Sequence, residues 1–437
     1  MTFRLPTLCA GSEVWEQQLR IGQVRGRVVP SGFARPLDLT RNPFGKLAAT
    51  VLTLTGRKTV TNSVNKRAAY VYEDRLSRYV LSDRHPMQPV RLQYTNALLS
   101  GYGAFGHERA LVIDPRPATL DELETFHSGF YIEAVKRLSE GEDFKGAELF
   151  GFSRDGDNPI YEGMFEAALL STGASVQAAE LIADGTVSRA FAPAGGLHHA
   201  AASRASGFCI FNDPVVAINA LRNRGLRVCY VDIDAHHGDG VQEAFYRDND
   251  VMTISTHEGG RWLFPGTGEV RELGEGPGKG FSVNLPLFPY TPDEVYVGAF
   301  DEVVVPLIKA FNPDVLATQL GTDGYVNDPL THLALTTNGY EAVVKRLDGL
   351  GYPWLAFGGG GYDLDAVPRC WTLVYGIMLG QEWPNMMPLL AKDFLESDNL
   401  RDAVVPMEDH ELYQARAWAD QQVEEIRRQI FPYHGVA

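Results

Sequence analysis

The stretch VDIDAHHGDG (Val231–Gly240) follows the apolar run RVCYV (Arg227–Val231) and crowds three acids and two histidines into nine residues. A short apolar run of this kind reads as a buried strand of a parallel sheet, and in open α/β sheets ligands bind just beyond the carboxyl ends of the strands. Alternate side chains of an extended segment share a face, so Asp232, Asp234 and His236 can be directed to the same side of that sheet edge. An oxygen and nitrogen donor set with no nearby Cys pair suits zinc, or Fe(II), in a catalytic site with three protein ligands and an open position. A third ligand has to come from another part of the chain. Taken alone, the spacing leaves open the alternative of a solvated acidic loop after a strand.

Outward from this stretch, seven further runs have the character of strands: AAYVYED (Ala68–Asp74), RALVI (Arg109–Ile113), RAFAP (Arg189–Pro193), DVMTIS (Asp250–Ser255), FSVNLPL (Phe281–Leu287), DVLATQL (Asp314–Leu320) and PWLAFGG (Pro353–Gly359). Helical patterns separate them. One is expected over Thr119–Leu138, opened by a Thr119 and Glu122 capping box, and another over Thr336–Leu347. Strands alternating with helices predict an α/β fold, an eight-stranded parallel sheet with helices on both faces. Near the end, Leu412, Ala415, Ala419, Val423, Ile426 and Ile430 recur at helical spacing and predict a helix packed on the core.

Hydrophobic residues make up 45% of the 437 and charged residues 22%, and no run of about 18 apolar residues suggests a membrane span. Four scattered cysteines (Cys9, Cys209, Cys229, Cys370) and no signal peptide point to buried thiols in a reducing cytoplasm. The net charge of −16 is uneven: residues 1–67 hold eleven Lys/Arg against three Asp/Glu, so the remainder carries about −24. A body that acidic is not built to hold nucleic acid; its charge suits either a cationic substrate or polypeptide, or solubility alone. Residues 1–67 lack a strand and helix rhythm and read as an N-terminal extension of open role. The domain boundary therefore falls at 68–437.

Other strand ends carry chemistry. GGLHHA (Gly195–Ala200) sets His198 and His199 after the RAFAP strand, suited to general acid and base work. QLGTDGY (Gln319–Tyr325) offers Asp323 as the third metal ligand, and GGGGYD (Gly358–Asp363) offers the phenol of Tyr362 to an oxyanion. SGFC (Ser206–Cys209) and WLFPGTG (Trp262–Gly268) supply Phe208 and Phe264 as core residues or as two walls of a narrow apolar tunnel.

GGLHHA, SGFCIFND, VDIDAHHGDGVQEAFY, VMTIS, FPGTG, QLGTDGY and GGGGYD, in this order, resemble the histone deacetylase superfamily, in particular the zinc-dependent class I enzymes and the bacterial acetoin-utilisation deacetylases. The resemblance runs from about Ala68 to the C-terminal helix and implies the arginase-like fold. It implies Asp234, His236 and Asp323 as zinc ligands, His199 as general base and acid, His198 as electrostatic helper, Asp232 and Asp239 as partners of the two histidines, and Tyr362 as oxyanion donor. It places Phe208, Phe264, Leu330 and Gly360 along an acyl-lysine channel, Asp157 at its rim, and Arg91 with Met87 and Leu197 at its inner end. Room there implies acetyl, and also lactyl or propionyl, as the group removed. Structural potassium is implied around Asp232, Asp234, His236, Ser255 and Thr256, and again around Phe245, Asp248, Val251 and Phe281. Gln88, Pro329 and Asp365 stand where corepressor-bound relatives carry basic residues for an inositol phosphate, so that regulation is not expected. NDPLTHL (Asn327–Leu333) is similar to the bacterial branch. The rival readings are a dinuclear manganese ureohydrolase, an acetylpolyamine amidohydrolase and a silent acyl-lysine binding module.

Overall fold

The computed structural model describes residues 67–436 apart from 83, 143–144, 154–155 and 404–408. Cys9 and, apart from Arg67, the expected extension over residues 1–67 lie outside the described residues.

Eight strands form one sheet: β1 (Ala68–Val71), β2 (Ala110–Ile113), β3 (Arg189–Ala192), β4 (Val228–Asp232), β5 (Val251–Glu258), β6 (Ser282–Leu287), β7 (Val315–Gln319) and β8 (Trp354–Phe357). Their order is β2-β1-β3-β8-β7-β4-β5-β6, and every pairing is parallel. Each of the eight expected runs overlaps one of these strands, β4 continuing one residue past Val231 and β5 three residues past Ser255. The five strands from β8 to β6 in this order, together with β1, are buried throughout, because the sheet is covered on both faces and neither set of alternating side chains meets water. Edge strand β2 is only partly covered.

On one face the helix Met164–Ala183 packs against Asp213–Arg222, which in turn meets β4 and the short helix Asp239–Phe245. On the other, Val90–Gly101, Ala366–Leu379, Thr337–Gly349, Asp293–Phe311 and Asp409–Gln429 pack in succession. The last of these buries Ala415, Ala419, Val423 and Ile426 against the core, as its spacing predicts. One expectation fails: Thr119–Leu138 is two helices, Leu120–Leu123 and Gly129–Ser139. The capping box at Thr119 forms, but the Ser128 side chain accepts the Tyr131 N–H and starts a second helix. Between them His127 turns inward and accepts the Asn212 N–H at 2.9 Å. A local capping signal and a tertiary bond thus override the continuous apolar periodicity.

Beside the main core lies a second apolar cluster that holds Met87, Leu197, Phe208 and Leu330, with Tyr362 packed at its edge. Cys209, Cys229 and Cys370 are free buried thiols, and burial pushes all three up.

Candidate active site

Four adjacent strands, β3, β8, β7 and β4, deliver the two histidines, the acidic cluster and Tyr362 from their carboxyl ends. Neighbouring strands lie about 4.8 Å apart, so loops leaving consecutive strands reach one spot without long connections. β3 leads to His198 and His199, β4 to Asp232 through Asp239, β7 to Asp323 and β8 to Tyr362.

Asp234, His236 and Asp323 are buried and offer ligand atoms that all lie within 4.8 Å of one another. His236 Nδ1 stands 3.1 Å from Asp234 Oδ1 and 2.9 Å from Asp323 Oδ2. The remaining carboxylate oxygens are fixed from behind: Gln319 Nε2 and the Gly360 N–H donate to Asp234 Oδ2 at 2.6 and 2.7 Å, and the Ala235 N–H donates to Asp323 Oδ1 at 2.8 Å. Burial pushes both carboxyls up. At Asp323 burial and the Asp234 charge prevail, to about 7, whereas the His198 charge and the bond from His236 hold Asp234 well below the usual range. Two carboxylates this close favour positive charge between them, and, though burial lowers it, they raise the His236 imidazole for the same reason. The donor set, one nitrogen and two oxygens preoriented around one point, therefore fits a divalent metal. A Cβ on Gly360 would come within 2.2 Å of Asp323 and 2.7 Å of Asp234, which explains a glycine there. Gly360 thus sits against the triad, its N–H engaged by Asp234.

Next to the triad, His198 Nε2 and His199 Nε2 are 3.0 Å apart. His198 Nδ1 pairs with Asp232 Oδ2 and His199 Nδ1 with Asp239 Oδ1, each at 2.7 Å. Asp232 also accepts the Tyr230 hydroxyl at 2.7 Å. Burial disfavours charge on both rings. At His198 the Asp232 and Asp234 charges overcome it, to about 9; at His199 burial and the cationic neighbour push it down to about 4. Near neutrality the pair thus holds one extra proton, on His198, and His199 is a neutral base.

Aromatic rings enclose the approach. Phe264 lies edge-on to His199, centroids 5.0 Å apart, and Phe208 lies edge-on to Tyr362 at 5.8 Å. Tyr362 in turn stands 6.5 Å from the His236 ring. Phe208 has φ +71° after Gly207 at φ +50°, and a Cβ on Gly207 would meet the His199 ring at 2.4 Å. Only glycine lets this turn lie against the His199 ring. Burial lowers His85 to about 4, and its neutral ring packs edge-on to Phe208 at 4.3 Å while Nε2 faces the Asp157 carbonyl at 3.3 Å. Asp157 is half-buried, and burial raises its carboxyl. Met87, Leu197 and Leu330 are buried in the same cluster, and Arg91 is buried over the Trp371 ring, donating to the Gly361 carbonyl at 2.8 Å.

Several contributors were missed because no spacing signals them. Gln319, the last residue of β7, lies in register with Asp232 and holds Asp234. Glu258 ends β5 and takes both Nδ1 and the main-chain N–H of His332 at 2.9 and 2.8 Å, joining the Phe264 loop to the Leu330 loop. Asp328 accepts the Tyr362 N–H.

For the expected potassium positions, Ser255 lies in register with Asp232, and Thr256 Oγ1 is buried without a partner. The Phe245 carbonyl accepts the Asp248 N–H, and the Phe281 carbonyl accepts the Thr253 N–H. Asp365 is tied to Arg369 at 3.0 Å and to Ser397 at 2.5 Å, and Gln88 donates to the His85 carbonyl, so both are engaged within the fold.

A family model, the histone deacetylase domain, matches residues 85–378. The acetoin utilization protein AcuC of Bacillus subtilis is 40% identical over 329 residues, covering 72% of this chain and 84% of its own. Human histone deacetylase 1 is 37% identical over 329 residues, covering 75% of this chain and 68% of its own. The crystal structure of a homologue from Aquifex aeolicus superposes with a TM-score of 0.76 at 32% identity, covering 83% of this chain and all of that one. A homologue complexed with SAHA gives 0.74 at 31%, with 83% and 99% covered. Among the described residues no helix is long and apolar enough to cross a membrane.

Proposed function

The chain belongs to the histone deacetylase family, and from that premise we propose that it is a zinc-dependent hydrolase of the acyl amide of acyl-lysine in proteins or peptides. The observation that carries this reading is His199, held by Asp239 at 2.7 Å, beside the Asp234, His236 and Asp323 cluster.

Asp234, His236 and Asp323 would hold zinc, which when bound would supply the Lewis acidity that polarises an acyl carbonyl and acidifies a water. His199 takes the proton of that water as its oxygen bonds to the acyl carbon. The same proton passes to the lysine nitrogen as the C–N bond breaks, leaving a carboxylic acid and a free amine, and the acid then gives up the second water proton to become the carboxylate. Asp239 keeps the Nδ1 proton of His199 in place, so that Nε2 is the basic nitrogen. His198, protonated against Asp232, adds positive charge next to the reacting carbon. Tyr362 donates its hydroxyl to the carbonyl oxygen as that oxygen gains charge. Phe208 and Phe264 flank the four methylenes of the lysine stem, Leu330 closes the channel wall, and Asp157 accepts from the substrate backbone at the rim. The acidic body, about −24 after residue 67, favours lysine-rich partners. Structural potassium at the two carbonyl-lined positions belongs to the same proposal.

Met87 can change rotamer, Leu197 is smaller than an aromatic ring, and Arg91 offers donors to a hydroxyl, so the inner end suits propionyl and lactyl as well as acetyl. One extra carbon is worth only about 1 to 3 kcal/mol of discrimination. The test compares kcat/KM for acetyl-, propionyl- and lactyl-lysine versions of one peptide, with acetylputrescine alongside. Comparable values on the three peptides support the reading. A preference for acetylputrescine shifts the assignment to a polyamine amidohydrolase, and a loss above about a hundredfold for both larger groups closes the pocket to them.

A further inference from the structure

We propose that Asp328 is a positioning residue for Tyr362: its carboxylate links the main chain of the oxyanion donor to the main chain of the channel-wall residue Leu330. The inference rests on the function proposed above for Tyr362 and Leu330.

Asp328 lies in the turn after Asp323, its N–H donating to the Tyr325 carbonyl at 2.8 Å, and its side chain is buried. Its two oxygens serve different partners. Oδ1 accepts the Leu330 N–H at 2.9 Å, a local turn of the kind Asp commonly makes with a residue two positions on. Oδ2 accepts the Tyr362 N–H at 2.8 Å, across 34 residues of sequence. The first bond accounts for an Asp at a turn. The second does not follow from turn chemistry.

Its consequence lies in the segment before Tyr362. Gly358–Gly361 offers no side chain to anchor the backbone, and Gly359 and Gly361 sit at φ +135° and +130°, conformations that only glycine adopts freely. Such a run is held only by its main-chain bonds. Gly360 N–H goes to Asp234, the Gly360 carbonyl accepts the Thr322 N–H at 2.9 Å, and the Gly361 carbonyl accepts from Arg91. The bond to Asp328 is the last of the series and falls on the tyrosine itself. Without it Tyr362 would hang from a glycine hinge, and a small rotation there is levered to the hydroxyl. Oxyanion donors act through preorganisation, so such a displacement lowers kcat more than substrate affinity. Burial and the neighbouring Asp323 charge oppose an ionised carboxyl at Asp328, while the two amides favour one, which makes this a costly place for an acid that served the turn alone.

The test is a double-mutant cycle of Asp328→Asn and Tyr362→Phe, read as kcat and KM on an acetyl-lysine peptide, with zinc content and melting temperature measured on each protein. Asn keeps one acceptor and sets an NH2 group against the other amide. The expected result is that Asp328→Asn lowers kcat by about one to two powers of ten, with KM and zinc nearly unchanged, and costs nothing further in the Tyr362→Phe background. The same factor in both backgrounds overturns the proposal, because the residue would then act without the phenol. A Tyr362→Phe protein with wild-type kcat overturns the oxyanion assignment itself, a separate outcome. If Asp328→Asn fails to fold, Asp328→Ser carries the same cycle. Failure of both to fold makes the carboxylate a folding requirement and also overturns the proposal.

Discussion

His198 and His199 meet Nε2 to Nε2 at 3.0 Å, yet the first is pushed up to about 9 and the second down to about 4. Burial opposes charge on both rings, so the difference comes from their neighbours. His198 faces the Asp232 and Asp234 carboxylates, whereas His199 faces a cation and its carboxylate partner Asp239 is less enclosed than Asp232. Adjacent residues of one type thereby acquire opposite proton states.

This ordering predicts the pH dependence of turnover. The profile of kcat/KM falls on the alkaline side as His198 loses its proton, toward about 9. Asp232→Asn removes the charge that sustains that proton, so the alkaline limb moves to lower pH while the acid limb stays. A limb that does not move in the variant assigns it to another group.

A second pH effect concerns stability. Glu258, fully buried, raises the pKa of His332 through their hydrogen bond, working against the ring's own burial. A histidine whose folded pKa exceeds its unfolded value of about 6.5 contributes stability that is complete below that value and is lost as pH rises through the folded pKa. His332→Gln should therefore lower the melting temperature more at about pH 5.5 than at about pH 9. Melting curves of the two proteins at both values check this, and a deficit that grows with pH contradicts it.

The extension is predicted to be dispensable for chemistry. Every proposed site residue lies after Arg67, whose carbonyl accepts the Ser188 N–H at 3.2 Å, so the cut belongs after Lys66. Removal of residues 1–66 should leave a cooperative melt and unchanged turnover of a small acyl-peptide. A truncated protein that melts cooperatively but no longer turns over assigns the extension a part in catalysis.

The fold was legible because a parallel sheet covered on both faces writes its strands as short apolar runs, and all eight strands overlap the expected runs. The cluster of Asp234, His236 and Asp323 was legible in two parts: Asp234 and His236 share one face of a strand end, while Asp323 needed the end of a second strand, β7, four positions beyond Gln319, which lies beside Asp232. The helix broken at Ser128 was not, because apolar periodicity continues through a cap, and His127 turned toward Asn212 has no local signal. Glu258 with His332, and Asp328 with Tyr362, were equally hidden. Each pair is far apart in sequence, and its meaning arises only where two loops converge.

The most direct test of the central claim is the metal dependence of acyl-lysine hydrolysis at Asp234, His236 and Asp323. Protein stripped by a chelator is titrated with zinc while bound metal, by mass spectrometry, and turnover of an acetyl-lysine peptide are followed together, in the wild type and in Asp234→Ala and Asp323→Ala. The account predicts that the stripped wild type is inactive and recovers in proportion to zinc bound at one site, and that both variants lose zinc and turnover together. Full turnover by metal-free protein, or stoichiometric zinc retained in either variant, would contradict it.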